Sequence, residues 1–481
     1  MAALEIARFS EPETLVDCRG VSLSMFAIDR VRLSLERPAA PLPTEPANRS
    51  EAVSEMLGLV GAALLQSSRA TSAVERILRG LSIAYGRKDV RSFVLPTLVM
   101  IEDPREQNER TSIFPATGPA LRLDQADSVE QLTLRALAER PSPSEVATEL
   151  NQIRATRPRF GVLARILGHA VLTVGFGLVL DPVAIAIPVY LVLGLIVGAT
   201  TVLGSRVRTL ALLLPTLTAF ALTLLTAWFV APIVGDDPIR LVAPALVSFL
   251  PGLTVTLAAV ELTSNQVVAG ASRMVYGAAQ FGLLVFGVYA ALALLGTHPS
   301  TQSPPQLGMW APWLGILLTA IGFNLFSVAP RRALPWIVLS LTVAYGAQLL
   351  AGFFIGAALA GFVGAVAIIV VVGLLRRITS SPPSAVMLTC AYWLLVPGGL
   401  GFIGLTTAAE QTPGGSSLVL NCLTSLLAIA IGMVVGVGFT QDSSAVGEPG
   451  PGRHGSSRIA RVRRRRVRGR PRRCRPGARD D

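Results

Sequence analysis

Between residues 251 and 273 the chain reads PGLTVTLAAVELTSNQVVAGASR, and the groups able to do chemistry are polar ones set in an apolar run. Thr254 and Thr256 offer hydroxyls, Glu261 a carboxylate, Asn265 an amide and Arg273 a guanidinium. A zwitterionic amino acid presents an ammonium and a carboxylate. Glu261 can attract the first. Arg273, or the amide end of an interrupted helix, can attract the second. Polar groups at membrane depth are costly unless they pair or face a cavity. The same spacing serves a plainer reading equally well, an interfacial acid and base that are paired and exposed.

Pro251-Gly252 interrupts the apolar run SFLPGLTVTLAAVEL, and Pro397-Gly398-Gly399 interrupts WLLVPGGLGFIGLT. Proline removes a backbone donor and glycine relaxes the chain, so both helices are expected to unwind locally. In lipid, loose backbone groups survive only where they line a protein cavity. Interrupted segments at matching places in two halves are the best sequence pointer to a transporter's binding site. Two further groups suit proton work. His169 sits inside an apolar run, where hydrogen bonding to a neighbouring helix is its commoner use. Glu410 follows the second break in a loop, where a solvated acid is the commoner outcome.

The elements that must hold these residues are membrane helices. The chain has 481 residues, 51% hydrophobic and only 15% charged, too apolar for an ordinary soluble protein. We read ten apolar segments, 160–180, 182–204, 209–234, 240–260, 274–296, 309–328, 333–350, 351–375, 384–404 and 416–439. The uncharged run Leu334–Leu375 is too long for one helix and is expected to fold back near Ala351-Gly352. Arg154, Arg157, Arg159, Arg206, Arg208, Arg273, Arg331, Arg332, Arg376 and Arg377 fall on alternate loops, and the opposite loops carry Asp181, Asp236, Asp237, Arg240, His298 and Glu410. The positive-inside rule then puts both termini in the cytoplasm. Ten spans split at THPSTQSPPQ into five plus five, the arithmetic of an inverted repeat.

The net charge of +12 is concentrated in the tail after Gly455, with Arg463 to Arg466 its densest block. A cytoplasmic membrane flank accounts for it better than nucleic-acid binding. Cys18, Cys390, Cys422 and Cys474 have neither metal nor disulfide spacing. Lys88, the only lysine, follows no Gly-rich phosphate loop, so no Walker-type ATPase is expected. No signal peptide is read near Met1.

Ahead of the spans, residues 1–49 read as a Pro-rich disordered lead-in and 50–158 as a small cytoplasmic α+β domain. Ser72-Ala-Val-Glu75 has capping-box spacing. Phe93, Leu95, Thr97, Val99 and Ile101 alternate like one strand, and short strands are expected at Thr111–Phe114 and Ala120–Leu123. Asp127-Ser-Val-Glu130 and Ser142-Pro-Ser-Glu145 open helices. The domain has no histidine and no acid/base set, which weakens a membrane-anchored hydrolase. A sensor role for it stays open. The membrane halves are 159–300 and 301–440, and 441–481 is an Arg-rich tail.

The PGLT…EL…AGASRM stretch resembles the threonine/serine exporter family, with its Pro-Gly, acidic-Leu and Gly-x-x-Arg pattern. LGLVGAALLQSSRATSAVERIL, VLPTLVMI and LNQIRATRPRFG are similar too, so the resemblance runs roughly from Ser50 to Phe439. It implies an α-helical polytopic protein of the bacterial plasma membrane, with ten spans and a cytoplasmic front domain. It implies export of threonine and serine driven by the proton motive force, as an antiporter without cofactor, metal or enzyme activity. The expected partners are substrate, protons and the lipid bilayer, not nucleic acid; homo-oligomerisation is left open. Pro251, Gly252, Glu261, Gly270 and Arg273 become the first site candidates, joined by Thr254 and Asn265. Pro397, Gly398 and Gly399 are their partners by the repeat, and Glu261, His169 and Glu410 the candidates for proton coupling. The tail after Gln441 has no counterpart in the family.

Overall fold

The computed structural model describes residues 49–104, 111–204, 213–295, 304–375, 384–395 and most of 424–439. Its front module begins with helix α1 (Arg49–Gln66) and α2 (Thr71–Ala84). Strands β1 (Arg91–Leu95), β2 (Leu98–Glu102) and β3 (Thr111–Pro115) follow, then α3 (Leu123–Glu139) and α4 (Pro143–Ala155). The strands form an antiparallel sheet in the order β1-β2-β3. One core of Val53, Leu57, Leu64, Leu78, Val99, Ile101, Leu132 and Leu150 joins helices and sheet.

Several local expectations change here. The single alternating strand across Phe93–Ile101 is a hairpin, because Pro96 cannot donate to a ladder and Pro96-Thr97 become the turn. The inward face consequently switches, pairing Val94 with Val99 and leaving Phe93 exposed. Ala120–Leu123 is not a strand. Leu123 is the first residue of α3, four positions before the expected Asp127, and Arg122 N–H donates to Gln125 Oε1 at 3.1 Å. Ser72 and Glu75 form no capping box, since α2 starts at Thr71 and both lie inside it. Ser142 does cap α4, accepting from Glu145 N–H at 3.2 Å.

The membrane part is wholly helical among the described residues. Among the described residues five helices are long and apolar enough to cross a bilayer, and a bent pair brings the number to six. The first three are α5 (Val162–Leu180), α6 (Ile187–Gly204, preceded by a 3₁₀ turn) and α7 (Leu214–Val234, with a π turn over Thr226–Val230). The bent pair is α8 (Pro238–Leu246) with α9 (Gly252–Thr263). α10 (Val267–Leu295) and α12 (Leu334–Ile355) complete the six. The remaining apolar helices are α11 (Ala311–Phe326), α13 (Ala357–Leu375), α14 (Ser384–Leu395) and α15 (Leu427–Gly436). The chain is thus a multi-pass membrane protein.

The fold-back within Leu334–Leu375 comes at Gly356, not at Ala351-Gly352. Gly356 has φ 80° and ψ 159°, a conformation that only glycine adopts readily. Glycine also decides the closest helix crossing. A Cβ at Gly175 would lie 2.7 Å from Gly315 O, and one at Gly322 would lie 2.6 Å from Gly168 O. Gly168 therefore meets Gly322 and Gly175 meets Gly315, so α5 and α11 run antiparallel with their backbones in contact.

Candidate functional site

The site is built on the bend between α8 and α9. Pro244 and the 3₁₀ turn Val247–Phe249 weaken the helix, and Leu250-Pro251 break it, turning the axis by 56°. Pro251 then serves as N-cap and Gly252 as first residue of α9. Gly252 O, in the first turn of α9, also accepts the Thr256 hydroxyl at 2.8 Å. Thr254 is half-buried beside it.

At the far end of α9 the chain reverses through Ser264–Gln266 and returns as α10. Asn265 adopts φ 65°, the left-handed conformation asparagine tolerates, and its side chain is exposed at the turn. Gly270 lets α10 lie directly on α9, since a Cβ there would come within 2.8 Å of Ala258 O and Leu262 N. That approach carries Arg273 to Glu261, with Nε 3.0 Å from Oε2. Glu261 is fully buried, and the Arg273 side chain is only 14% exposed. The pair is therefore not the exposed interfacial pair that the spacing also allowed.

The other carboxylate oxygen is held from outside the membrane helices. Thr71 N–H, at the first position of α2, donates to Glu261 Oε1 at 2.9 Å. Ala70 has no side chain able to cap α2, so Glu261 supplies the missing cap in trans. One turn on, Gln266 Nε2 donates to Glu75 Oε2 at 3.1 Å. A second junction lies at Asp124, whose amide donates to Val328 O at 3.2 Å.

The predicted residues thus separate into groups. Glu261, Gly270 and Arg273 come together. Pro251 and Gly252 stand at the other end of α9, nine residues from Glu261 and so roughly 13 Å away by helical rise. The break's own amides therefore do not serve the pair; the first amide of α2 does. Pro397, Gly398, Gly399 and Glu410 lie outside the described residues.

His169 is buried and tied to the break, not to the ion pair. Its Nδ1 is 3.0 Å from Gly194 O, and its Nε2 is 2.9 Å from Ser248 Oγ in the 3₁₀ turn. A carbonyl only accepts, so Nδ1 carries the proton and Nε2 accepts the Ser248 hydroxyl. Phe326 meets the ring edge-on at 4.8 Å. Both ring nitrogens are thus engaged by neighbouring elements.

Sequence reasoning passed over a second polar cluster. Asp181 ends α5, and Asp236 and Asp237 precede α8; all three are buried. Tyr190 Oη donates to Asp181 O at 3.1 Å, and Asp237 caps α8 by accepting Ile239 N–H at 2.8 Å. Burial, then the neighbouring Asp236, pushes the Asp181 carboxyl up to about 7, against the opposing charge of Arg240. The signal available was three acids at the ends of apolar runs, which loop positions made look solvated.

The profile of the ThrE family, described as threonine/serine exporters, matches residues 55–295, about half of the chain. This chain is a member of the ThrE family. The matched span opens in α1 and closes at the last residue of α10, so it takes in the front module, the bend, Glu261 and Arg273. The resemblance read beyond residue 300 lies outside that match. Comparison with curated proteins and with solved structures gives no match.

Proposed function

We propose that this protein exports threonine and serine across the plasma membrane of a bacterium as a secondary carrier driven by the proton motive force. The observation that carries the reading is the buried Glu261–Arg273 pair, set at the end of a helix broken within the membrane and inside the span matched by the ThrE family. A broken helix frees backbone groups for a small polar solute, and a buried acid and base offer both charges of an amino acid. Asp181, buried at the end of α5 beside Asp236, is suited to exchanging a proton.

We extend the reading to ten spans in an inverted repeat. The reciprocal glycine contacts of α5 and α11, first helices of the two proposed halves, are those of a local two-fold axis. α14, which leads toward the second break, packs on α9, which starts at the first. Leu253 lies against the cluster holding Met387, Ala391 and Leu395. The arginine distribution favours both termini inside. A second reading, that the front module gates the carrier, is favoured by its direct hold on Glu261. The test is a deletion strain fed threonine peptides. It should accumulate threonine, and restored efflux should vanish with the proton gradient. Efflux unchanged by deletion defeats the proposal.

A further inference from the structure

Four polar atoms gathered around Glu261 have no hydrogen-bond partner although they are buried: Thr71 Oγ1, Glu261 Oε2, Arg273 Nε and Arg273 Nη2. Thr71 and Glu261 are both fully buried. The Arg273 Nε to Glu261 Oε2 approach of 3.0 Å has the distance of an ion pair without the alignment of a hydrogen bond. Buried polar atoms are normally satisfied, and leaving one bare costs about 1–3 kcal/mol. The Glu261 carboxylate thus satisfies the helix end and leaves the guanidinium without a hydrogen bond.

Those two donors together are a recognition set for a carboxylate. A helix N-terminus presents unpaired amides and positive potential. A guanidinium presents a planar fork that matches two carboxylate oxygens. α2 has 14 residues, and its first amide is already committed to a carboxylate oxygen.

We propose that the N-terminus of α2 and Arg273 form a carboxylate seat, filled by Glu261 at rest and by the α-carboxylate of an amino acid during transport. The proposal rests on the exporter reading and names how that site takes its substrate. The incoming carboxylate accepts from Thr71 N–H and from the fork of Arg273. Glu261, displaced, turns to the ammonium of the same molecule. The front module thereby becomes part of the binding site, and Glu75–Gln266 keeps α2 beside the α9–α10 turn during the exchange.

The test uses purified full-length protein. Thr71→Pro deletes the one amide that touches Glu261. Proline is favoured at the first helical position, and Ala70 at φ −63°, ψ 142° already has the conformation required before proline. Threonine affinity should fall about tenfold or more, the worth of a hydrogen bond to a charged group. Threoninamide, which lacks the carboxylate, should bind wild type and variant alike. Glu261→Gln is the second arm, for the case in which Thr71→Pro does not fold. With the resident charge removed, N-acetylthreonine, which has a carboxylate but no ammonium, should bind at least about tenfold tighter than to wild type. Unchanged threonine affinity in Thr71→Pro, or no gain for N-acetylthreonine in Glu261→Gln, overturns the seat while wild-type transport leaves the exporter reading standing. A wild type that neither binds nor exports threonine overturns both.

Discussion

Replacing Gly322 by alanine should damage the protein far more than one methyl group suggests. The new Cβ would lie 2.3 Å from Leu172 N and 2.6 Å from Gly168 O. Both are backbone atoms of α5, so no side chain can swing away. Ordinary contact begins near ~3.5 Å, so the two helices must part by roughly 1 Å at their crossing. Overpacking of this kind costs about 1–3 kcal/mol, and the widened gap forfeits dispersion along the rest of the seam. Gly282, in the middle of α10, is the control, since a Cβ there meets nothing within 4 Å. Alanine at Gly282 should stabilise its helix by about 0.5–1 kcal/mol. Unfolding of the two variants in detergent, followed by tryptophan fluorescence, should therefore separate them by about 1.5–4 kcal/mol. Equal stability would refute the backbone contact between α5 and α11, and with it the local two-fold axis.

Gly356→Ala should cost about 1–3 kcal/mol through its backbone alone, because φ 80° and ψ 159° is nearly closed to alanine and the surrounding space is open; an unshifted unfolding midpoint would reject the strained reversal. Asp181 titrates higher in the folded protein, near 7 against an ordinary 3.8, so the folded state holds the proton and loses stability as pH rises through that window. Wild-type stability should fall between about pH 4 and about pH 7, and Asp181→Asn should remove most of that slope. A flat wild-type profile would refute the buried-carboxyl assignment. His169→Ala should loosen the bend by removing the contacts to Gly194 O and Ser248 Oγ; faster proteolysis near residues 247–251 is the expected result, and unchanged cleavage contradicts it.

How much of this was legible in the sequence depends on the range of the interaction. The bend at Pro251 is a local property of proline and glycine, and it lies where the residues put it. The apolar segments predict the helices for the same reason. Features set by distant partners were not readable. Ser72 and Glu75 have capping-box spacing, but the true cap of α2 is Glu261, nearly two hundred positions later. The hairpin at Pro96 was legible, and the alternation of apolar residues on either side concealed it. Glu261 and Arg273 emerged as candidates from the bilayer cost of charge together with the family resemblance, yet only their packing through Gly270 distinguishes a buried pair from an exposed one. The seven-residue spacings Gly168–Gly175 and Gly315–Gly322 were visible, but spacing does not say which helix faces which.

The central claim is that Glu261 works within a proton-driven carrier of small hydroxy amino acids. It is tested most directly by efflux from proteoliposomes loaded with threonine, serine or leucine, with and without an opposing proton gradient. The gradient should accelerate threonine and serine efflux, a protonophore should abolish the effect, and Glu261→Gln should lower the rate at least about tenfold while still inserting. Gradient-independent efflux, or a Glu261→Gln protein as active as wild type, would contradict it.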